Sequence, residues 1–162
     1  MKLSGILFGK LSFLVFVGAS ILFASTETKA QASLQKAINA HINKTSEDAT
    51  EYKKDRKIVY GDVDGDGRKD AVVQYTLEGE GGGNSWGQQL AVFLNKKGAY
   101  QAAADETVGG KFFRIFTLLK VVNKEIIGAT ETCPEDEPQG MCKNPAKKQI
   151  KLVLTDGKLV EK

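Results

Sequence analysis

Residues 62–70 read Asp-Val-Asp-Gly-Asp-Gly-Arg-Lys-Asp, and no other stretch constrains the fold as strongly. Four carboxylates this close repel one another unless something positive sits among them. A hard divalent cation suits them: Ca2+ takes about six to eight oxygen ligands, and acids at alternating loop positions supply most of these. With Asp62 at position one, Asp64, Asp66 and Asp70 fall at positions three, five and nine. Gly67 falls at position six, where the turn is sharpest. Lacking a Cβ, it reaches φ > 0 without a clash and lets the backbone carbonyl of Arg68 turn inward as a further ligand. The plainer reading is a polar Asp/Gly turn between two strands. The register of the four acids favours calcium.

The loop is not an EF-hand, because position twelve is Val73, where an EF-hand carries a bidentate Glu, and no amphipathic helix follows. Residues 71–77 read as a strand, with Ala71, Val73, Tyr75 and Leu77 alternating with more polar neighbours. The expected order is strand, acidic loop, strand. Residues 60–73 in this respect resemble the calcium loop of the FG-GAP and VCBS repeats of integrin-type propellers. That resemblance implies a metal held by the side chains of Asp62, Asp64, Asp66 and Asp70 and by the backbone of Arg68. It covers this loop and its flanks only. A propeller needs several blades of about four strands each. The acidic loop occurs once, which excludes a propeller within this single chain.

At the N-terminus, Lys2 and Lys10 precede an apolar stretch over residues 11–24, and Ala30-Gln31-Ala32 offers a small-residue cleavage pattern before Ser33. This reads as a secretory signal peptide over residues 1–32, followed by one domain over 33–162. The uninterrupted apolar run is shorter than the roughly 20 residues that span a bilayer, so a retained anchor is the lesser reading. No Cys follows it for lipid attachment. The expected location is secreted or periplasmic, with no stable membrane span after processing. Loss of Lys2, Lys10, Lys29 and Glu27 with the leader lowers the net charge from +3 to about +1. No basic stripe with interleaved aromatics is left to point to nucleic acid.

Export also decides how Cys133 and Cys142 read. They enclose a polar segment with Pro134 and Pro138, and a disulfide closing this loop is expected. Zinc is a poor alternative with His41 as the only histidine, and redox catalysis lacks a Cys-x-x-Cys motif. From Ser33 the period is helical, with Leu34, Ala37, Ile38, His41 and Ile42 on one face. On that face His41 reads as a packed residue rather than a base or ligand. Thr45-Ser46-Glu47-Asp48 resembles a capping box and suggests a second short helix or turn. Asn43-Lys44-Thr45 fits an N-glycosylation sequon, which matters only in a eukaryotic host.

Beyond the acidic loop the expected strands are 89–94, 99–102, 112–122, 125–132, 149–154 and 158–160, the last two joined by a Thr155-Asp156-Gly157 hairpin turn. On the long strand, Phe113, Ile115, Thr117, Leu119 and Val121 are the expected core face. Short connections favour antiparallel neighbours. The resulting class is α+β: an N-terminal amphipathic helix packed on a curved, mainly antiparallel meander, with one disulfide. Residues 78–87 form a glycine-rich connection that lacks the Gly-Lys-Ser/Thr ending of a phosphate loop. Trp86 either caps the core or stands at the tip of a binding loop, to which Glu80 and Asn84 would add polar contacts. A lone histidine and paired cysteines leave little for nucleophilic catalysis, so a non-enzymatic role is expected. The expected function is an exported, calcium-binding module that meets a protein or glycan of the cell envelope or extracellular space. Two alternatives stand beside it. One is a small secreted inhibitor or ligand-binding protein that uses the glycine-rich or disulfide loop. The other is a carboxylate-dependent hydrolase.

Overall fold

The structure is a computed structural model that describes residues 20–79, 83–135, 137 and 139–162, with only the backbone for 20–28. Lys2, Lys10 and the first part of the expected leader lie outside the described residues, as do Glu80, Asp136 and Pro138. The chain folds as one α-helix, one short 3-10 turn (Lys53–Asp55) and nine strands among these residues: α1 Ser20–Thr45, β1 Thr50–Glu51, β2 Lys57–Gly61, β3 Asp70–Glu78, β4 Trp86–Lys96, β5 Ala99–Gly110, β6 Ile115–Val122, β7 Glu125–Thr132, β8 Ala146–Thr155 and β9 Lys158–Glu161. All pairings are antiparallel. The class is thus the expected one, and a Cys133–Cys142 disulfide closes its loop with a Cα–Cα distance of 5.7 Å.

The meander divides into two sheets. The first has five strands in the order β1-β3-β4-β5, with β2 beside β1 along the same edge of β3; the second has four, β6-β7-β8-β9. Leu34, Ile38 and Ile42 of α1 pack on Ala71, Val73, Tyr75, Leu77, Ala91 and Phe93 of the first sheet. Its other face, with Val72, Leu90, Val92, Ala104 and Val108, packs on Phe116, Leu118, Ile126, Ile150 and Leu152 of the second sheet. Three layers result, and the middle one is covered on both sides. Residues 71–77 of β3 are therefore all buried, including Gln74 and Thr76, where alternation in the sequence had suggested one wet face.

Helix α1 begins ahead of the expected Ser33 and ends at Thr45, and Ser46 N–H still donates to the Ile42 carbonyl at 2.8 Å. The 45–48 segment therefore ends this helix rather than starting another, and Glu47 takes φ +45° before the chain turns into β1. The helix is tied to the sheet edge through Arg56, whose guanidinium holds Glu51 at 2.5 and 2.6 Å and reaches Asn39 Oδ1 at 3.1 Å.

The long strand departs from its expected face. Residues 111–113 form a turn, β6 starts at Ile115, and Phe116 and Leu118 point inward, leaving Phe113 and Leu119 exposed. A bulge between Leu118 and Lys120 then shifts the phase by one, so that Val121 also meets the core. The expected set was right at Val121 and wrong at Phe113, Thr117 and Leu119, while Ile115 is half-buried outside the core, beside Gly140 of the disulfide loop. The Phe116 ring lies across Gly128 on β7, where a Cβ would collide with it.

Candidate metal centre

The acidic loop joins the C-terminal end of β2 to the start of β3, two strands that pair from Lys57↔Gln74 to Gly61↔Asp70. Gly65 and Gly67 both take positive φ, +87° and +81°, as a loop wound this tightly requires. Its aspartates fold the loop on itself. Asp62 accepts from the N–H of Gly65 at 2.5 Å and of Gly67 at 3.0 Å, and Asp64 accepts from Asp66 N–H at 3.1 Å. Asp66 in turn accepts from Arg68 N–H at 2.9 Å. Each is a side chain satisfying a backbone donor that the turn would otherwise leave bare.

Asp62, Asp64 and Asp70 each present an oxygen so that all three atoms lie within 4.8 Å of one another. Oxygens on one calcium, each about 2.3–2.6 Å from the ion, lie at most about 5.2 Å apart. The three therefore fit a shared cation. A carboxylate oxygen that accepts one N–H keeps a lone pair for a metal, so the loop's internal hydrogen bonds do not disqualify the donors. Asp66 is turned aside: one oxygen pairs with the Arg68 guanidinium and lies 3.7 Å from Lys96 Nζ. The Arg68 side chain spans outward, donating from Nε to the Asn95 carbonyl at 2.7 Å.

Asp70 is fully buried and works differently from the others. Its Oδ2 accepts from Val63 N–H at 2.9 Å and its Oδ1 from Asn95 N–H at 2.8 Å, clamping the loop's start to the end of β4. Two basic side chains that the linear sequence does not connect to the loop stand over it. Lys96 Nζ lies 3.0 Å from Asp64 Oδ2, and the Lys124 ammonium packs over Gly65. The Lys96 hydrogen bond holds the Asp64 carboxyl below its ordinary range, and the same bond raises Lys96. An open depression of about 540 Å³, lined in part by Val63, Asp64, Asn123 and Lys124, leaves the loop reachable from solvent.

The other singled-out residues gather at the far end of β4. Trp86, the first residue of β4, is half-buried, between its two expected placements. Asn84 and Trp86 line a depression of about 400 Å³ with Thr50 and Glu78. The Trp86 carbonyl accepts from Lys111 N–H at 3.1 Å, and the Lys111 carbonyl accepts from Gln139 N–H of the disulfide loop at 3.2 Å. The glycine-rich and disulfide loops thus meet at the 111–114 turn. His41 packs edge-on against Phe93, with ring centroids 5.5 Å apart, and its Nε2–H donates to Asp105 Oδ2 at 2.6 Å.

No family model, curated protein or solved structure matches the chain. No helix among the described residues is long and apolar enough to cross a membrane, and the disulfide is compatible with an oxidising compartment.

Proposed function

We propose that this chain is an exported calcium-binding domain, in which Asp62, Asp64 and Asp70 hold one structural Ca2+, with Asp66 leaving its pairing with Arg68 on binding and joining the Arg68 carbonyl to complete the shell, and which acts as a non-catalytic binding or surface-associated module. The observation that carries the reading is the convergence of three carboxylate oxygens within 4.8 Å on a loop whose glycines already take the required positive φ. The strand-loop-strand order, as in FG-GAP-like loops, supports it as well. When bound, the ion supplies positive charge that relieves repulsion among the acids and cross-links the ends of β2 and β3. The protein's own contribution is positional: Asp70 anchors the loop to β4, and Asp62 gathers the backbone of Gly65 and Gly67. Extracellular modules commonly bind calcium at about 10^-4 to 10^-3 M, adequate where calcium is millimolar.

Thermal unfolding of the full chain with calcium and with chelator tests the reading. Calcium at about 100 times its Kd stabilises by roughly 2.7 kcal/mol, a rise of several degrees for a chain of this size. The rise should vanish in the Asp62→Ala, Asp64→Ala double variant. An equal melting temperature with and without calcium would reduce the aspartates to a self-folded turn. The meeting of the glycine-rich and disulfide loops favours one second reading, a ligand-binding protein that uses that end. Loss of a captured envelope protein or glycan on Trp86→Ala would support it.

A further inference from the structure

The C-terminal limb of the acidic loop is held by one residue outside it. Asn95, half-buried near the end of β4, lies 25 residues beyond Asp70, and the β3–β4 pairing brings the two together. Four hydrogen bonds meet at Asn95. Its N–H donates to Asp70 Oδ1 at 2.8 Å, its side-chain amide donates to the Lys69 carbonyl at 3.1 Å, and its own carbonyl accepts from Arg68 Nε at 2.7 Å. Three consecutive loop residues are thus held from one position. The fourth bond faces the other way: Asn95 Oδ1 accepts from Gly98 N–H at 2.7 Å, within the β4–β5 turn where Lys97 and Gly98 take φ of +59° and +91°. An asparagine that served only its own turn would need this last bond alone. The other three reach across to the acids.

This hold bears on which ion the loop accepts. Asp70 is fully buried, with one oxygen on Asn95 N–H and the other on Val63 N–H, so its carboxylate cannot shift without leaving a buried partner bare. Asp62 is bonded to the loop's own backbone, and Asp64 to that backbone and to Lys96. Magnesium demands a near-ideal octahedron at about 2.0–2.1 Å, so donors must close in on it, whereas calcium accepts irregular shells at about 2.3–2.6 Å. A loop with residues 68–70 fixed suits calcium and resists magnesium. Arg68 is served by the same hold. With Nε on the Asn95 carbonyl, its side chain keeps an anchor when Asp66 leaves the guanidinium.

Resting on the calcium reading above, we propose that Asn95 is a positioning residue of the metal loop and sets its preference for calcium over magnesium. It acts through Asp70, Lys69 and Arg68 rather than on the ion, and its bond to Gly98 ties that action to the β4–β5 turn.

The test is calorimetric titration of the full chain and two variants with calcium and with magnesium, with melting in chelator to show that each variant is folded. Asn95→Ala removes both side-chain bonds. Its calcium affinity should fall about tenfold, the lower end for a residue that orients a metal ligand, and its magnesium affinity less, so the calcium-to-magnesium ratio drops. Asn95→Asp keeps an acceptor for Gly98 N–H and loses only the donor to Lys69. Its added charge acts on both divalent ions alike, so its ratio should lie between those of the wild type and Asn95→Ala. Equal losses for the two ions, with the ratio unchanged, would make Asn95 a support of the fold alone and overturn the proposal. Wild-type affinities in both variants would overturn it as well, with the calcium reading intact. A wild-type chain that takes up neither ion would sink the calcium reading and this inference together.

Discussion

Asp70 and Asp64 show how differently two aspartates of one loop are used. Asp70 is fully buried with both oxygens committed to backbone N–H groups, so it holds the loop in place whether or not a cation is present. Asp64 is exposed, and its Oδ2 lies 3.0 Å from the Lys96 ammonium, a positive charge with which a cation on this loop would share the carboxylate. Lys96 therefore competes with calcium. Lys96→Ala should raise calcium affinity by up to roughly 5-fold, the scale of one exposed ion pair, as read by calorimetric titration. An unchanged affinity would mean that the lysine swings aside at no cost. The Lys96 hydrogen bond lowers Asp64 below 3.8, so this pairing contributes above that pH and is lost as pH falls through the lowered value. The aspartates were legible in the sequence because their spacing is local. Lys96 and Asn95 were not, because only the β3–β4 pairing, with Ala71 opposite Phe93, carries the end of β4 to the loop.

At the scale of elements, β6 is the one whose position the sequence concealed. It is an edge strand of the second sheet, and its free edge meets side chains of the first. Gln88 Oε1 accepts from Phe116 N–H at 2.6 Å, and Gln74 Oε1 accepts from Leu118 N–H at 2.7 Å. The Phe116 carbonyl accepts from both amides, at 3.0 Å from Gln74 and 3.1 Å from Gln88. Two buried glutamines thus do for this edge what a further strand would do. Gln74→Leu should cost about 1–3 kcal/mol in urea unfolding, because Leu118 N–H is left buried and bare. Gln149→Leu, on the exposed part of β8, should cost less than about 0.5 kcal/mol. Equal effects at the two sites would contradict the splint. In the sequence Gln74 resembled a solvent-facing residue of an alternating strand, and nothing nearby signals that its partner lies more than forty residues ahead.

At the scale of the whole molecule, the helix layer is joined to the first sheet by a polar contact as well as by apolar packing. Tyr75 on β3 donates to Asp105 Oδ2 on β5 at 2.6 Å, and His41 of α1 binds the same oxygen, while Asp105 Oδ1 is buried with no partner among the described residues. Burial, aided by the Asp105 hydrogen bond, raises the Tyr75 phenol well above its ordinary 10.0. The neutral phenol is therefore the native form. Its contribution is complete below pH 10.0 and is lost as pH rises from there toward the raised folded value. Between pH 10 and 12 the stability of the protein should fall more steeply than that of Tyr75→Phe, by up to about 1.4 kcal/mol per pH unit. At neutral pH the variant should be about 1 kcal/mol less stable through the lost hydrogen bond. Parallel pH profiles for the two proteins would show that the phenol ionises freely in the fold.

The sequence by itself determined what depends on neighbours along the chain. The α+β class, the helical face of Leu34, Ile38 and Ile42, the Asp156-Gly157 turn with φ of +50° and +77°, and the loop with Gly67 at positive φ all follow from residues a few positions apart. The tertiary structure decided what depends on residues far apart. Coverage of the first sheet on both faces turned Gln74 and Gln88 into an edge splint, and a bulge reversed the phase of β6. Antiparallel pairing set Lys96 over the acids at one end and drew the glycine-rich and disulfide loops to Phe112 and Phe113 at the other. The physical reason is that period and spacing specify which side chains share a face, whereas only the packing of layers specifies what that face meets.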